Sequence, residues 1–429
     1  MINKLVRVPR TIAALLLAGA TATGPGCHMI RRITPHFGEV AAPVIDPAQQ
    51  RDVLRERRQL AWVEMLGGHS PREFSARDAL ELSRVEQAFD AQTTWTTKPV
   101  PGRATLEDLP RAYWWYLFTD PRDWSRGPLA ADNDGAPGSY AAMMNAFDQV
   151  LVGATRTAVG PDDYVAMHAL VTLGVFHKDR GGPEALGFAH EPQSFVIAPL
   201  HDPDATRREL LAAGLAEMKA EGLASWNPEL QKAQNSERMV PWLAEVLATA
   251  TDPTPYNKPA RLIYVRDRDA SGAPQFGQWL RGYNDYRPGE ASHWVGLWLK
   301  SYGEELQKLT ARKDGSAYLQ ELGAGGEPSE VLLAMARPVA RLIRRLQVSH
   351  VFAAGNDQLN ARLLLDKLLV AQGLPPTVIM DTSLFAGRVP LDHLAREVIR
   401  GQLRFQALVT ELAARDAMRT VAVASPETK

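Results

Sequence analysis

Two apolar helices joined by a loop too short for any other connection constrain this chain more than any other feature. "EVLLAMARPVARLIRRLQ" (330–347) has helical spacing, with Leu342 and Leu346 on one face and Arg341, Arg344 and Arg345 on the other. Pro338 inside it marks a kink or a helix start. "LNARLLLDKLLVAQG" (359–373) is the second helix, with a wide apolar face of Leu364, Leu365, Leu368 and Leu369. Gly373 suits the left-handed residue that ends it, and "LPP" blocks continuation. Between the helices "SHVFAAGNDQ" (349–358) leaves room only for a tight loop. Its Gly355-Asn356 pair comes just before the second helix, whose first backbone N–H groups have no helical partner and favour an anion. Phe352 faces the core and pins the loop. That leaves His350 at the loop mouth, where a neutral imidazole can take a proton from a hydroxyl attacking a phosphate. Each residue also has a plain role: His350 as a dipole-favoured histidine at a helix C-terminus, Asp357 as an N-cap, Arg362 as a solvated helix residue.

Elsewhere the pattern is mainly helical. "RDVLRERRQLAWVEML" (51–66) and "SPREFSARDALELSRVEQAF" (70–89) read as helices, the second entered through Ser-Pro. Residues 96–140 are rich in Gly, Pro and Asp and read as loops around "AYWWYLF" (112–118), taken as core aromatics with a groove edge. "VGPDDYVAMHALV" opens a helix with Pro161 and two acids in its first turn. "GGPEALGFAHEPQSFVIAPL" (181–200) is the best candidate for a β-hairpin or flap. Residues 204–250 return to helix, Arg261–Val265 forms one strand, and the chain from about Phe276 is helical. No internal repeat and no long linker divides it. A net charge of −1 over 429 residues offers no basic field for nucleic acid.

The N-terminus reads as a targeting segment. Lys4, Arg7 and Arg10 precede the short apolar run "TIAALLLAGATATG", which is too short to span a bilayer and suits a signal peptide over 1–26. Cys27, the chain's single cysteine, follows at "GPGC" and resembles a bacterial lipidation site, although Gly24 stands where a leucine is usual. Ordinary cleavage, with Cys27 left as a tail thiol, is the alternative. Residues 27–50 then form a Pro-rich tether, and disulfides play no part.

The helix–H-x-F-x-x-G-N–helix arrangement, continued by "RLLLDKLLVAQGLPP", resembles the Fic/Doc family of nucleotidyl and phosphoryl transferases, whose signature is H-P-F-x-[DE]-G-N-G-R-x-x-R. "PDDYVAMHALV" resembles the family's early helix, and "GGPEALGF" lies where its substrate-aligning flap follows. The resemblance implies a Fic-like helical bundle over 145–410 with a short β-hairpin flap and an insertion at about 205–325. A helical extension with aromatic-rich loops (51–144) precedes it and a tail (411–429) follows. It further implies His350 as general base, Gly355 and Asn356 as phosphate cradle and Arg362 as the arginine gripping outer phosphates.

Several positions depart from the signature. Ala354 replaces the acidic metal ligand, leaving Asp357 as the candidate carboxylate for magnesium; Asp357 and Gln358 replace Gly-Arg. One extra residue before Arg362 turns its aim, at about 100° per residue. The first functional expectation is therefore a transferase moving AMP or a related group from a nucleotide donor to a Ser, Thr or Tyr hydroxyl of a protein target. The second is a catalytically inactive, exported lipoprotein, periplasmic or anchored to the outer membrane through Cys27, that binds an envelope protein. Missing cationic and metal contacts and the scarcity of ATP outside the cytoplasm favour the second. Delivery onward into another cell is a third.

Overall fold

The fold is organised by the second helix of that motif, which is buried on all sides. The computed structural model describes residues 327–424 without a break, residues 103–226 and 261–324 with gaps, and Trp95. The leader, Cys27, the tether and the helical patterns of 51–89 lie outside the described residues. The described residues belong to one compact unit.

Among the described residues the fold is mainly α. A short helix α1 (Trp115–Phe118) leads to α2 (Ser139–Leu151) and α3 (Pro161–Val171). The Asp163 carboxylate accepts from Gly160 N at 2.8 Å, and Pro161 fills the first helical position, as the sequence indicates. Strands β1 (Phe176–His177) and β2 (Gly182–Pro183) make a small antiparallel hairpin. Then come β3 (Gln193–Pro199), α4 (Ala205–Ala220), β4 (Ser225–Trp226), β5 (Arg261–Arg268) and β6 (Pro274–Asn284). Helices α5 (Glu290–Thr310), α6 (Gly315–Ala324) and α7 (Glu330–Ser349) follow. Beyond the His350 loop, a π-helical segment (Gln358–Leu364) runs into α8 (Leu365–Val370), and α9 (Leu391–Ala424) ends the fold. No helix among the described residues is long and apolar enough to cross a membrane.

The strands correct two expectations. The hairpin forms at 176–183, overlapping only the first residues of the segment expected to supply it, while 193–199 enters a separate four-stranded sheet of order β3-β6-β5-β4. Residues 274–284 are a strand and not the start of a helix. Gly277 and Gly282 weaken helix there, and β6 pairs antiparallel with both β3 and β5. α9 also runs unbroken through residue 411, where a tail was expected to begin.

α7 starts at Ser329, whose side chain accepts from Leu332 N, and passes through Pro338. Its arginine face is covered rather than open. Arg344 is fully buried; it donates to Glu217 of α4 at 2.8 Å and to Glu221 at its C-cap, and Glu217 also accepts from Leu391 N at the head of α9. Arg341 pairs with Glu305 of α5. The "AYWWYLF" segment is core, with Trp114, Trp115, Tyr116 and Leu117 buried, and it is tied to α9 through Tyr113 and Trp95, both bonded to Asp416. α8 ends as the sequence indicates, with Gly373 at φ +74°, Gly373 N donating to Val370 O and Leu374 N to Leu369 O.

The buried helix carries a carboxyl group with no exposed surface, Asp366. Its Oδ1 accepts from Thr377 N and Oγ1, each at 2.8 Å, whereas Oδ2 has no hydrogen-bond partner. Burial pushes this carboxyl up to about 7. An unfolded aspartate ionises near pH ~4, so between that pH and about 7 the folded state holds the extra proton and stability falls as pH rises. Asp366→Asn removes this slope. Urea unfolding at pH 5 and pH 7.5 should show the wild type losing ~2 kcal/mol more than the variant over that interval.

Candidate functional site

The loop after α7 is set by its first residue. His350 has φ +44°, the only positive φ outside glycine among the described residues, and its N–H still bonds Leu346 O, closing the helix. The imidazole is half-buried and lies on the ring of Phe195 in β3, with centroids 4.8 Å apart and planes 13° from parallel. The last carbonyls of α7 are taken from outside the helix. Asn284 Nδ2 donates to Val348 O at 3.1 Å and to Ser349 O, and the Tyr286 hydroxyl donates to Ser349 O at 2.8 Å.

Phe352 pins the loop as expected. Its buried ring stacks on His168 of α3 at 3.7 Å and 3°, and on Phe188 at 5.3 Å and 13°. His168 Nε2 lies 3.0 Å from Ala354 O, which fixes it as the protonated nitrogen. Val351 O accepts from Ala189 N, tying the loop to the segment after the hairpin. Gly355 has φ +73°, and a Cβ there would lie 2.8 Å from Thr172 Cγ2, so the turn admits only glycine without movement.

The remaining expected site residues are committed differently from one another. Asn356 is buried and turned into the loop: Nδ2 donates to Phe352 O at 2.7 Å, and Oδ1 accepts from Phe352 N at 3.3 Å. Arg362 is buried with Nη1 donating to Ile379 O at 2.8 Å, and to Leu117 O at 3.5 Å. Burial lowers its proton affinity, while Asp120, Asp366, Asp357 and Asp381 act in the opposite sense. Arg362 lies in the π segment, whose turns are wider than α winding.

Asp357 is exposed to solvent at the start of the helix, with the side chains of Gln347, Arg362 and Arg388 around it. It has helical φ and ψ and makes no capping bond, so it is not the N-cap. Desolvation by its surroundings raises its carboxyl. A hydrogen bond from Gln347 Nε2 and the charges of Arg362 and Arg388 oppose this, and Asp381 adds to it. Arg388 also donates from Nε to Ile197 O of β3 and lies 3.5 Å from Asp381.

Behind Asp357 runs a buried chain that the sequence analysis missed. The Tyr164 hydroxyl donates to Asn360 Oδ1 at 2.7 Å, Asn360 Nδ2 to Gln347 Oε1 at 3.1 Å, and Gln347 to Asp357. Gln347 lies three residues before His350 and Asn360 four after Asn356, and that helical spacing was the available signal. Nothing in the local sequence pointed to Phe195, Asn284 or Tyr286.

A metal fits this surround poorly. Ala354 presents a methyl, Asp357 has one oxygen engaged by Gln347, and the described residues contain no group of three or more His, Cys, Asp or Glu able to hold an ion. Cys27, the lipidation candidate, lies outside the described residues. No protein-family model and no curated protein matches the chain.

Two glycines with the same backbone separate strain from crowding. Gly355→Ala should cost roughly 2–4 kcal/mol in chemical denaturation, from the left-handed backbone and the contact with Thr172. Gly373→Ala, at φ +74° with open space around it, should cost only about 1–2 kcal/mol.

Proposed function

We propose that the chain is a Fic-like transferase that moves a nucleotidyl or other phosphate-bearing group from a nucleotide donor to a Ser, Thr or Tyr hydroxyl of a protein target. His350 is the general base in this reading. The observation that carries it is the backbone of His350. Glycine closes a helix in the left-handed conformation without strain, whereas a residue with a Cβ costs about 1–2 kcal/mol there. Such strain is characteristic of functional positions, and here it sets an imidazole at the mouth of a loop that opens onto a helix N-terminus. The imidazole takes the hydroxyl proton as the oxygen forms the new bond to phosphorus, and the donor's leaving group departs with the bonding electron pair. The phosphate is held by backbone N–H groups at the start of the helix, since the Asn356 side chain is engaged by the loop.

A second reading has its own observation. Both side chains that the resemblance assigns to the phosphate, Asn356 and Arg362, bond backbone groups of the protein, and the Asp357 carboxylate stands beside the cradle. This favours a protein that binds a partner without chemistry, which the exported, Cys27-anchored lipoprotein of the sequence reading would be.

Titration of the purified mature protein with ATP, CTP, UTP and CDP-choline, with and without magnesium, separates the two. His350→Gly accepts the left-handed backbone and so preserves the loop. It should bind the donor as the wild type does while turnover falls on the order of 10²–10⁴-fold. It should also be more stable than His350→Ala by about 1 kcal/mol. Folded wild type that binds none of the four donors would leave the scaffold reading in place.

A further inference from the structure

We propose that Phe195 and Gly282, on paired strands of the sheet, are positioning residues that fix the imidazole of His350. This rests on His350 acting as the base. The two residues are direct partners in the β3–β6 register. A Cβ on Gly282 would lie 2.2 Å from Phe195 Cζ and 2.4 Å from Cε1, so the phenyl ring lies across the strand where Gly282 presents no side chain. His350 stacks on that ring at 4.8 Å.

The same stretch of chain holds the His350 backbone. Two and four residues beyond Gly282, Asn284 and Tyr286 bond the carbonyls of Val348 and Ser349, which fixes the end of the helix from which His350 departs. Backbone and ring are thus located by one piece of sheet, which lies in the segment between the two parts of the motif-bearing bundle. A side chain held both by its backbone and over one face has little freedom to rotate, and its Nδ1 is enclosed by protein. Flat packing of Phe195 over a cross-strand glycine would also serve the sheet alone. The two roles differ in what happens to His350 when the phenyl ring is moved.

The test uses the full mature chain as Phe195→Leu, Phe195→Tyr and Gly282→Ala. The imidazole resonances of His350, assigned by their loss in His350→Gly, are followed by NMR, together with donor affinity and turnover. Phe195→Leu and Gly282→Ala should displace the His350 resonances and lower turnover on the order of 10²-fold with unchanged donor affinity. Phe195→Tyr should restore wild-type values of both. Unchanged His350 resonances in Phe195→Leu would overturn the proposal, as would displaced resonances with unchanged turnover. The resonances report on the seat whether or not any donor is turned over. Failure of the seat and failure of the transferase reading are therefore separate results. If Gly282→Ala does not fold, the leucine and tyrosine variants carry the same comparison.

Discussion

The structure depends on a helix that is buried around its whole circumference and yet carries three strongly polar side chains. Asn360, Arg362 and Asp366 lie in the run from Leu359 to Asp366, all of it buried. A buried polar group left without a partner costs about 1–3 kcal/mol, and more if charged, so each of the three dictates what must pack beside it. Asn360 requires Tyr164 of α3 and Gln347 of α7. Arg362 requires the carbonyls of Ile379 and Leu117, which brings the aromatic segment against the bundle. Asp366 requires Thr377, which fixes the chain just after Pro375 and Pro376. Apolar packing alone would tolerate sliding of these elements, whereas the polar partners do so only at a cost.

The candidate site inherits its rigidity from that requirement. On one side of the loop, the chain from Tyr164 through Asn360 and Gln347 points every donor in the same direction, ending on Asp357. On the other side the contacts are aromatic and carbonyl-capping, from Phe195, Asn284 and Tyr286. Between them Phe352 is clamped by His168 and Phe188 while Asn356 closes the loop on itself. A loop held in this way presents its backbone in one conformation, which is what recognition by main-chain donors needs.

What the sequence disclosed was local. The Gly160-Pro161 entry to α3, the Gly373 exit from α8 and the tight loop between α7 and the buried helix follow from capping chemistry and spacing within a few residues. The loop's Phe352 anchor was legible for the same reason. What stayed hidden depends on residues far apart in the chain. β6 became a strand because β3, about eighty residues earlier, and β5 give it partners on both edges. Arg344 sits on a face that reads as solvated until Glu217 and Glu221, at the end of α4, cover it. The roles of Asn360, Arg362 and Asp366 were hidden by a wide leucine face, which suggests a half-buried helix where the whole circumference is in fact enclosed. The engagement of Asn356 by Phe352, four residues away, was accessible in principle, since asparagine commonly bonds nearby backbone.

The π-helical segment around Arg362 and the strain at His350 flank the same loop. The π turns span Gln358–Leu364 and run directly into α8, whose first residues stay buried. Arg362, within those turns, is devoted to packing. His350 keeps its left-handed backbone although glycine would relieve about 1–2 kcal/mol, a noticeable fraction of a stability that is typically ~5–15 kcal/mol. Asn284, Tyr286 and the stack on Phe195 offset that strain locally, each contributing on the order of 1 kcal/mol.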